Sequence, residues 1–404
     1  MFEHVEPFAG DPILSLNDDF QKDPRPGKIN LSIGIYFDDA GRVPVLDSVR
    51  RAECSVCARD AAKPYLPIEG AANMRSEVQA LLFGREHEAL ASRRVATIQS
   101  VGSSGGLKVG ADFLARWLPG SAVWVSEPSW ENHASMFDGA GIAVHSYPYY
   151  DAATGGLDFP ALCATLRGLP PRSIVLLHAC CHNPTGVDLR HGQWDELIPI
   201  LAERDLLPYL DLAYQGFGDG IAEDAYAVRA LAAARGADGK PMRFVVANSF
   251  SKSMSLYGER CGALSVVCAD AAEADNVLGQ LKFTVRRNYS SPPIHGGQIV
   301  AAVLGEPDLR RAWEAELAAM RERIQAMRIE LHRVLAARMP DRDFSYFLNQ
   351  RGMFSYTGLL PEQVEQLRQE FAVYLLRSGR MCVAGLNRGN VQETAQAMAA
   401  VLGA

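Results

Sequence analysis

The stretch Arg243-Phe-Val-Val-Ala-Asn-Ser-Phe-Ser-Lys-Ser-Met-Ser-Leu-Tyr-Gly-Glu-Arg-Cys-Gly-Ala-Leu-Ser-Val-Val-Cys-Ala269 holds two apolar runs of strand length joined by a polar connection. Only 11 residues separate Phe250, which ends the first run, from Gly262, which begins the second. A crossover that returns a parallel strand needs about a dozen residues or more. The run Gly262–Ala269 is therefore expected to lie antiparallel to its neighbours. Upstream the rhythm differs. Ala122–Ser126, Ile142–Tyr147, Ser173–Cys181 and Leu207–Leu212 are further short apolar runs, and most of the gaps between them have helical period. Leu107, Ala111, Leu114, Trp117 and Leu118 mark one such helix, and Gln193–Arg204 is another. Strands alternating with helices predict an α/β fold with a mostly parallel sheet covered on both faces.

The ends read differently. Residues 1–43 are loop-rich, with Pro7, Pro12, Pro24 and Pro26. A long charged amphipathic helix is expected from about Asp308 to Met339, with Ile324, Met327, Leu331, Val334 and Leu335 on its apolar side. Short strand and helix signals follow at Phe344–Leu348, Pro361–Ser378 and Met381–Ala384. This predicts a large domain over 44–310 and a smaller α+β domain assembled from 1–43 and 311–404.

Composition excludes several classes of function. The 404 residues are 48% hydrophobic and 22% charged, which is globular rather than disordered. No apolar run approaches the ~20 residues of a membrane helix, and the acidic N-terminus lacks a secretory apolar segment, so a cytoplasmic location is expected. Net charge is −7 and no Lys/Arg block exceeds a pair, which argues against nucleic-acid or anionic-membrane partners. Eight cysteines are an ordinary number for this length, and they are read as reduced thiols. Cys54-x-x-Cys57 lacks a second Cys-x-x-Cys. In His178-Ala-Cys-Cys-His182 the alternation of a strand is expected to turn Cys180 and Cys181 to opposite faces, away from any common ion. No metal is expected.

Lys252 is the unusual feature. It follows directly on an apolar strand, flanked by Ser249, Ser251 and Ser253, with Arg260 eight residues on. Lysines rarely lie near buried strand ends without a partner, and one whose pKa is lowered can form a Schiff base. Lysine, arginine and hydroxyls together suit an aldehyde bearing a phosphate, pyridoxal 5'-phosphate. A surface lysine in a serine-rich loop is the plain alternative.

The segment Ser249-x-Ser-Lys-x-x-x-Leu-Tyr-x-Glu-Arg260 resembles the lysine segment of class I aminotransferases, in the aspartate and aromatic amino-acid branch. Asn30–Gly34, Tyr65-Leu-Pro-Ile-Glu-Gly70, Pro128–His133, His182-Asn-Pro-Thr-Gly186, Asp211-x-x-Tyr214, Asn288–Pro293 and Ser378–Asn387 extend that resemblance over nearly the whole chain. It implies a seven-stranded sheet with one antiparallel strand. It also implies that Ser103, Ser104 and Gly105, in Gly102-Ser-Ser-Gly-Gly106 before a helix beginning near Leu107, hold the cofactor phosphate, with Ser249 and Arg260 completing the cup. Asp211 would keep the pyridine nitrogen protonated, and Asn183 and Tyr214 would bond the phenolate oxygen. Trp130 would stack on the ring, with His133 bonding Asp211.

The same resemblance gives Arg380 the substrate α-carboxylate and Arg286 a distal carboxylate, because a guanidinium fits a carboxylate bidentately. Gly34 would belong to the substrate-side loop. Tyr65 and Arg286 would act across the interface of a homodimer with shared active sites. The implied reaction is a ping-pong transamination in which Lys252 takes the substrate Cα proton and returns it. The segments around Lys252, Val285–Pro293, Leu348–Gly358 and Gly379–Asn387 resemble bacterial aromatic (tyrosine) aminotransferases most. Phenylalanine, tyrosine and aspartate are thus the expected amino donors, with 2-oxoglutarate as acceptor. A strict aspartate enzyme and a pyridoxal-phosphate lyase of the same fold are the alternatives.

Overall fold

Cys261–Val267 pairs antiparallel with Phe244–Ser249 on one side and with Val95–Val101 on the other, as the short connection before it requires. The structure, a computed structural model, describes residues 1–403 apart from Ala9 and Asp60. Its main sheet has seven strands in the order Val95–Val101, Cys261–Val267, Phe244–Ser249, Leu207–Leu212, Ile174–His178, Val123–Glu127 and Val144–Pro148. Every pairing beyond Phe244–Ser249 is parallel.

The apolar runs lack polar alternation because both faces of the sheet are covered. Val175, Leu177, Leu210, Leu212 and Val246 belong to one core; Ile174, Leu176, Tyr209, Val245 and Ala247, next to them in the chain, belong to another. Successive side chains of a strand point to opposite faces, so one strand feeds two cores. Truncating a fully buried member such as Leu177 or Leu264 to alanine costs about 2–5 kcal/mol.

The two ends of the chain meet. Ile29–Asn30 runs parallel to Val373–Tyr374, and Phe354–Tyr356 runs antiparallel to Arg380–Cys382. The helix Pro307–Arg338 links this region to the main sheet. Near its start Trp313 Nε1 donates to the Ser253 carbonyl at 2.7 Å, and farther along it packs on the helix Val391–Gly403.

Several expectations need correction. The strand Val95–Val101 is absent from the six apolar runs, because Thr97, Gln99 and Ser100 interrupt it. Those polar groups are buried but partnered: Thr97 with Ser265 at 2.9 Å, Gln99 with the Pro293 carbonyl at 2.8 Å and Ser100 with the Gly102 carbonyl at 2.8 Å. The helix expected near Leu107 starts at Gly102, so Gly102–Gly106 form its first turn and not a loop before it. Within the loop-rich N-terminus, Pro12–Lys22 is a helix: Asp11 accepts from the Ile13 and Leu14 amides, and Pro12 tolerates the first helical position. The strand expected over Ser173–Cys181 ends at His178. Cys181 takes a left-handed φ of 53°, so strand alternation does not reach the cysteine pair. The sulfurs of Cys180 and Cys181 and an Asp224 oxygen lie within 4.8 Å of one another. Asp224 itself is engaged by the amides of Gly216, Gly218 and Asp219.

Candidate active site

Strand ends position the site. Trp130 follows Glu127, Asn183 follows His178, Tyr214 follows Leu212, Lys252 follows Ser249, and Ser103 follows Val101. Open α/β sheets bind ligands outside the carboxyl ends of their parallel strands. The antiparallel strand Cys261–Val267 begins at this same edge, which brings Arg260 there. Gly34, Ser103, Ser104, Trp130, Asn183, Asp211, Tyr214, Lys252 and Arg380 line one cavity of about 190 Å³, together with Ile13, Ala213 and Phe354.

Asp211 is buried in the strand Leu207–Leu212. Its Oδ2 lies 2.9 Å from His133 Nε2, and His133 Nδ1 lies 2.9 Å from the Ser129 hydroxyl. Burial raises the carboxyl pKa, but the His133 hydrogen bond and the positive potential of His133, His178 and Lys252, in that order, outweigh it and hold Asp211 below its usual range. An ionised carboxylate only accepts, so His133 Nε2 carries the proton of this bond. Burial pushes the adjacent His178 imidazole down to about 3, which keeps it neutral. Asp211 Oδ1 is buried and has no hydrogen-bond partner among the described residues.

Lys252 is half-buried, with Nζ 5.1 Å from the centre of the Tyr214 ring. Loss of solvent around the ammonium lowers its pKa to about 8, although Asp211 opposes the shift. A substantial fraction is therefore the neutral, nucleophilic amine near neutral pH. Burial pushes the Tyr214 hydroxyl up, partly offset by Arg380.

Ser103 and Ser104 lie in the first turn of Gly102–Trp117, whose N-cap residue, Val101, supplies no side-chain acceptor to the free amides. Glycines let Arg260 come close. A Cβ on Gly102 would lie 2.8 Å from an Arg260 guanidinium nitrogen, and one on Gly262 would lie 2.9 Å from the Ser103 amide nitrogen. Arg260 is steadied by the Ser251 hydroxyl at 3.3 Å and the Tyr257 carbonyl at 3.1 Å. Ser249 accepts from the Ser251 amide at 3.1 Å. Helix amides, two hydroxyls and a guanidinium thus converge as an anion cradle. Gly105 is in this turn but does not line the cavity; its α-carbon faces back toward Val101.

Arg380 is buried beside Asn183. It donates to Asn183 Oδ1 at 3.3 Å and to the Ser32 carbonyl at 2.7 Å, while its Nε has no partner among the described residues. Its guanidinium lies 4.5 Å from the centre of the Phe354 ring. Gly34 also packs on that ring, where a Cβ would come within 2.9 Å of its Cζ. Trp130 meets His133 edge-on at 5.2 Å.

Six expected site residues do not line this cavity: Gly105, His133, Ser249 and Arg260, whose contacts are given above, and Tyr65 and Arg286. Tyr65 is 95% exposed, and Arg286, exposed at the end of the helix Ala271–Asn288, bonds the Ser290 hydroxyl. Sequence reading also missed Ile13, Phe354 and Ser129. Ile13 and Phe354 are single apolar residues in short elements without a periodic signal. Ser129 was quoted within Pro128–His133, but the His133 bond that gives it a role is visible only in three dimensions.

The residues fit pyridoxal phosphate. A protonated ring nitrogen would satisfy Asp211 Oδ1, a buried acceptor without a partner among the described residues. The Ser103–Arg260 cradle suits a phosphate, and a low-pKa amine suits an aldehyde. Fold and site together suit the class of α/β enzymes that hold an aldehyde cofactor by a lysine at a strand end. The Aminotransferase class I and II family matches residues 26–398, and the chain belongs to that pyridoxal-phosphate-dependent family. It is 59% identical over 403 residues to the aromatic-amino-acid aminotransferase of Escherichia coli (strain K12), covering 100% of both chains. It is 50% identical over 402 residues to an aspartate aminotransferase of Pseudomonas aeruginosa, again covering 100% of both. It superposes with a TM-score of 0.96 and 50% identity on the aromatic-amino-acid aminotransferase of Burkholderia pseudomallei, a structure covalently bound to pyridoxal phosphate, covering 100% of this chain and 99% of that one. The protein is an aminotransferase.

Proposed function

We propose that the protein moves an amino group between phenylalanine, tyrosine or aspartate and 2-oxoglutarate. The observation that carries this reading is the lining of one cavity by Lys252, the half-free carboxylate of Asp211 and the buried guanidinium of Arg380. Pyridoxal phosphate, when bound, supplies an electron sink for the substrate Cα. Asp211 holds the positive ring nitrogen, with His133 fixing the carboxylate. Ser103, Ser104, Ser249 and Arg260 hold the phosphate. Asn183 and Tyr214 hold the phenolate oxygen, and Trp130 backs the ring. Arg380 receives the substrate α-carboxylate and so aims the Cα–H bond at Lys252. Lys252 Nζ is placed to take that proton and to return it, acting as base and then as acid.

The aromatic half of the specificity is supported by the aromatic-amino-acid relatives, and the dicarboxylate half by the aspartate relative and by Arg286. An arginine can meet a distal carboxylate or swing out to leave an apolar slot. We also propose a homodimer in which Tyr65 and Arg286 complete the partner's site; their exposure in the single chain supports this. The division into 44–310 and a domain made of 1–43 and 311–404 is supported by the pairing of Ile29–Asn30 with Val373–Tyr374. A cytoplasmic location is in keeping with eight cysteines that are all free. No helix among the described residues is long and apolar enough to cross a membrane.

The deciding experiment compares kcat/KM for phenylalanine and aspartate with 2-oxoglutarate as acceptor. Turnover of both is expected. Failure of phenylalanine to react contradicts the aromatic assignment and leaves a strict aspartate enzyme.

A further inference from the structure

Arg328 lies within the helix Pro307–Arg338 and is 3% exposed, yet no carboxylate pairs with it among the described residues. Its guanidinium is spent on one short stretch. Nη2 donates to the carbonyls of Gly352 at 2.8 Å and Phe354 at 2.6 Å, and Nη1 donates to the Ser355 hydroxyl. Burial lowers its pKa to about 9. A buried cation without a directly paired carboxylate is costly, so what it holds in place is informative.

The held stretch touches both Arg380 and the loop of Asn183, the two residues that meet in the cavity. On one side the Phe354 ring packs under Arg380 at 4.5 Å and meets Tyr214 edge-on at 5.7 Å. On the other side, the stretch is pressed against the loop that carries Asn183. The Arg351 amide donates to the Gly186 carbonyl at 2.6 Å. A Cβ on Gly186 would lie 2.4 Å from the Phe354 carbonyl oxygen, and one on Gly352 would lie 2.4 Å from Cys181 Cβ. Such contacts leave no slack, so a shift of Gly352–Phe354 moves Arg380 and Asn183 relative to each other.

We propose that Arg328 is a positioning residue for α-carboxylate recognition: by pinning Gly352, Phe354 and Ser355 it sets the Arg380–Asn183 pair that receives the substrate. This rests on the reading of Arg380 as the α-carboxylate arginine.

The test measures the Kd of holoenzyme for maleate, an unreactive dicarboxylate, by absorbance titration, together with kcat and KM for aspartate. The proteins are wild type, Arg328→Met, Arg328→Lys, Arg380→Leu and the Arg328→Met/Arg380→Leu double variant. Arg328→Met is expected to weaken maleate and raise KM about tenfold, with kcat changed much less, and Arg328→Lys to recover part of the loss. In the Arg380→Leu background, Arg328→Met is expected to add less than about twofold, since its effect passes through Arg380. Additive losses, or a fall in kcat with KM and maleate binding unchanged, overturn the proposal. If Arg380→Leu leaves maleate binding intact, the reading of Arg380 fails instead. Should Arg328→Met not fold, Arg328→Lys carries the same cycle, with a smaller loss expected and the same overturning results.

Discussion

His133 Nε2 lies 2.9 Å from Asp211 Oδ2, while Asp211 Oδ1, buried in the same carboxylate, has no hydrogen-bond partner among the described residues. The histidine fixes the carboxylate and leaves one buried oxygen open, as the proposed contact with the cofactor's ring nitrogen requires. Asp211→Asn keeps the shape and removes the charge, and should lower kcat/KM by roughly 10²–10³-fold. His133→Ala leaves the charge and loosens its aim, for a smaller loss of about 10–100-fold. Steady-state kinetics of cofactor-saturated variants checks both. Equal losses would contradict this division of roles.

Lys252 is placed to react as the free amine. Its pKa is lowered to about 8 by loss of solvent, so the neutral fraction of the cofactor-free protein rises as pH increases through about 8 and not near the 10.5 of an ordinary lysine. Labelling with a small aldehyde followed by borohydride reduction, read by peptide mass spectrometry, should show Lys252 modification with a midpoint near pH 8. Lysines with an ordinary pKa should lag by about two pH units. Lys252→Ala protein should bind the cofactor only reversibly and lack its colour in the imine absorption band.

Shared active sites predict complementation. Neither Lys252→Ala nor the double variant Tyr65→Ala/Arg286→Leu should turn over aspartate well. A refolded equal mixture should recover up to roughly a quarter of wild-type activity, because half of the dimers are mixed and each holds one intact site of two. No recovery, despite mixed dimers seen by mass spectrometry, would refute sharing.

Arg286→Leu probes the distal carboxylate. It is expected to cut kcat/KM for aspartate by about 10²-fold or more and that for phenylalanine by less than about tenfold, since only aspartate loses a charge-assisted pair. Unchanged aspartate turnover would remove Arg286 from the site.

Much of this architecture is legible in the sequence, for physical reasons. The strands Ile174–His178 and Phe244–Ser249 are buried on both faces, so they read as apolar runs, and a polar residue just after such a run, such as Lys252, announces itself. Val95–Val101 does not read as a strand, because Thr97, Gln99 and Ser100 find their partners on other segments or in the turn that follows. Gly102–Gly106 reads as a loop because glycine disfavours helix interiors, yet here close approach to Arg260 and Gly262 requires it. Arg328 is invisible in sequence. It sits in a long charged helix among arginines such as Arg321, Arg323 and Arg333, and only three-dimensional packing shows that its guanidinium is enclosed.

Amino-group transfer itself is tested most directly by a single-turnover half-reaction. Holoenzyme is mixed with excess phenylalanine or aspartate and no acceptor, and 2-oxo acid, ammonia and the cofactor absorbance are followed together. One equivalent of 2-oxo acid per subunit is predicted, with no ammonia, the amino group retained on the protein-bound cofactor until 2-oxoglutarate is added. Continued release of ammonia, or elimination products beyond one equivalent without an acceptor, would contradict transamination and mark a lyase.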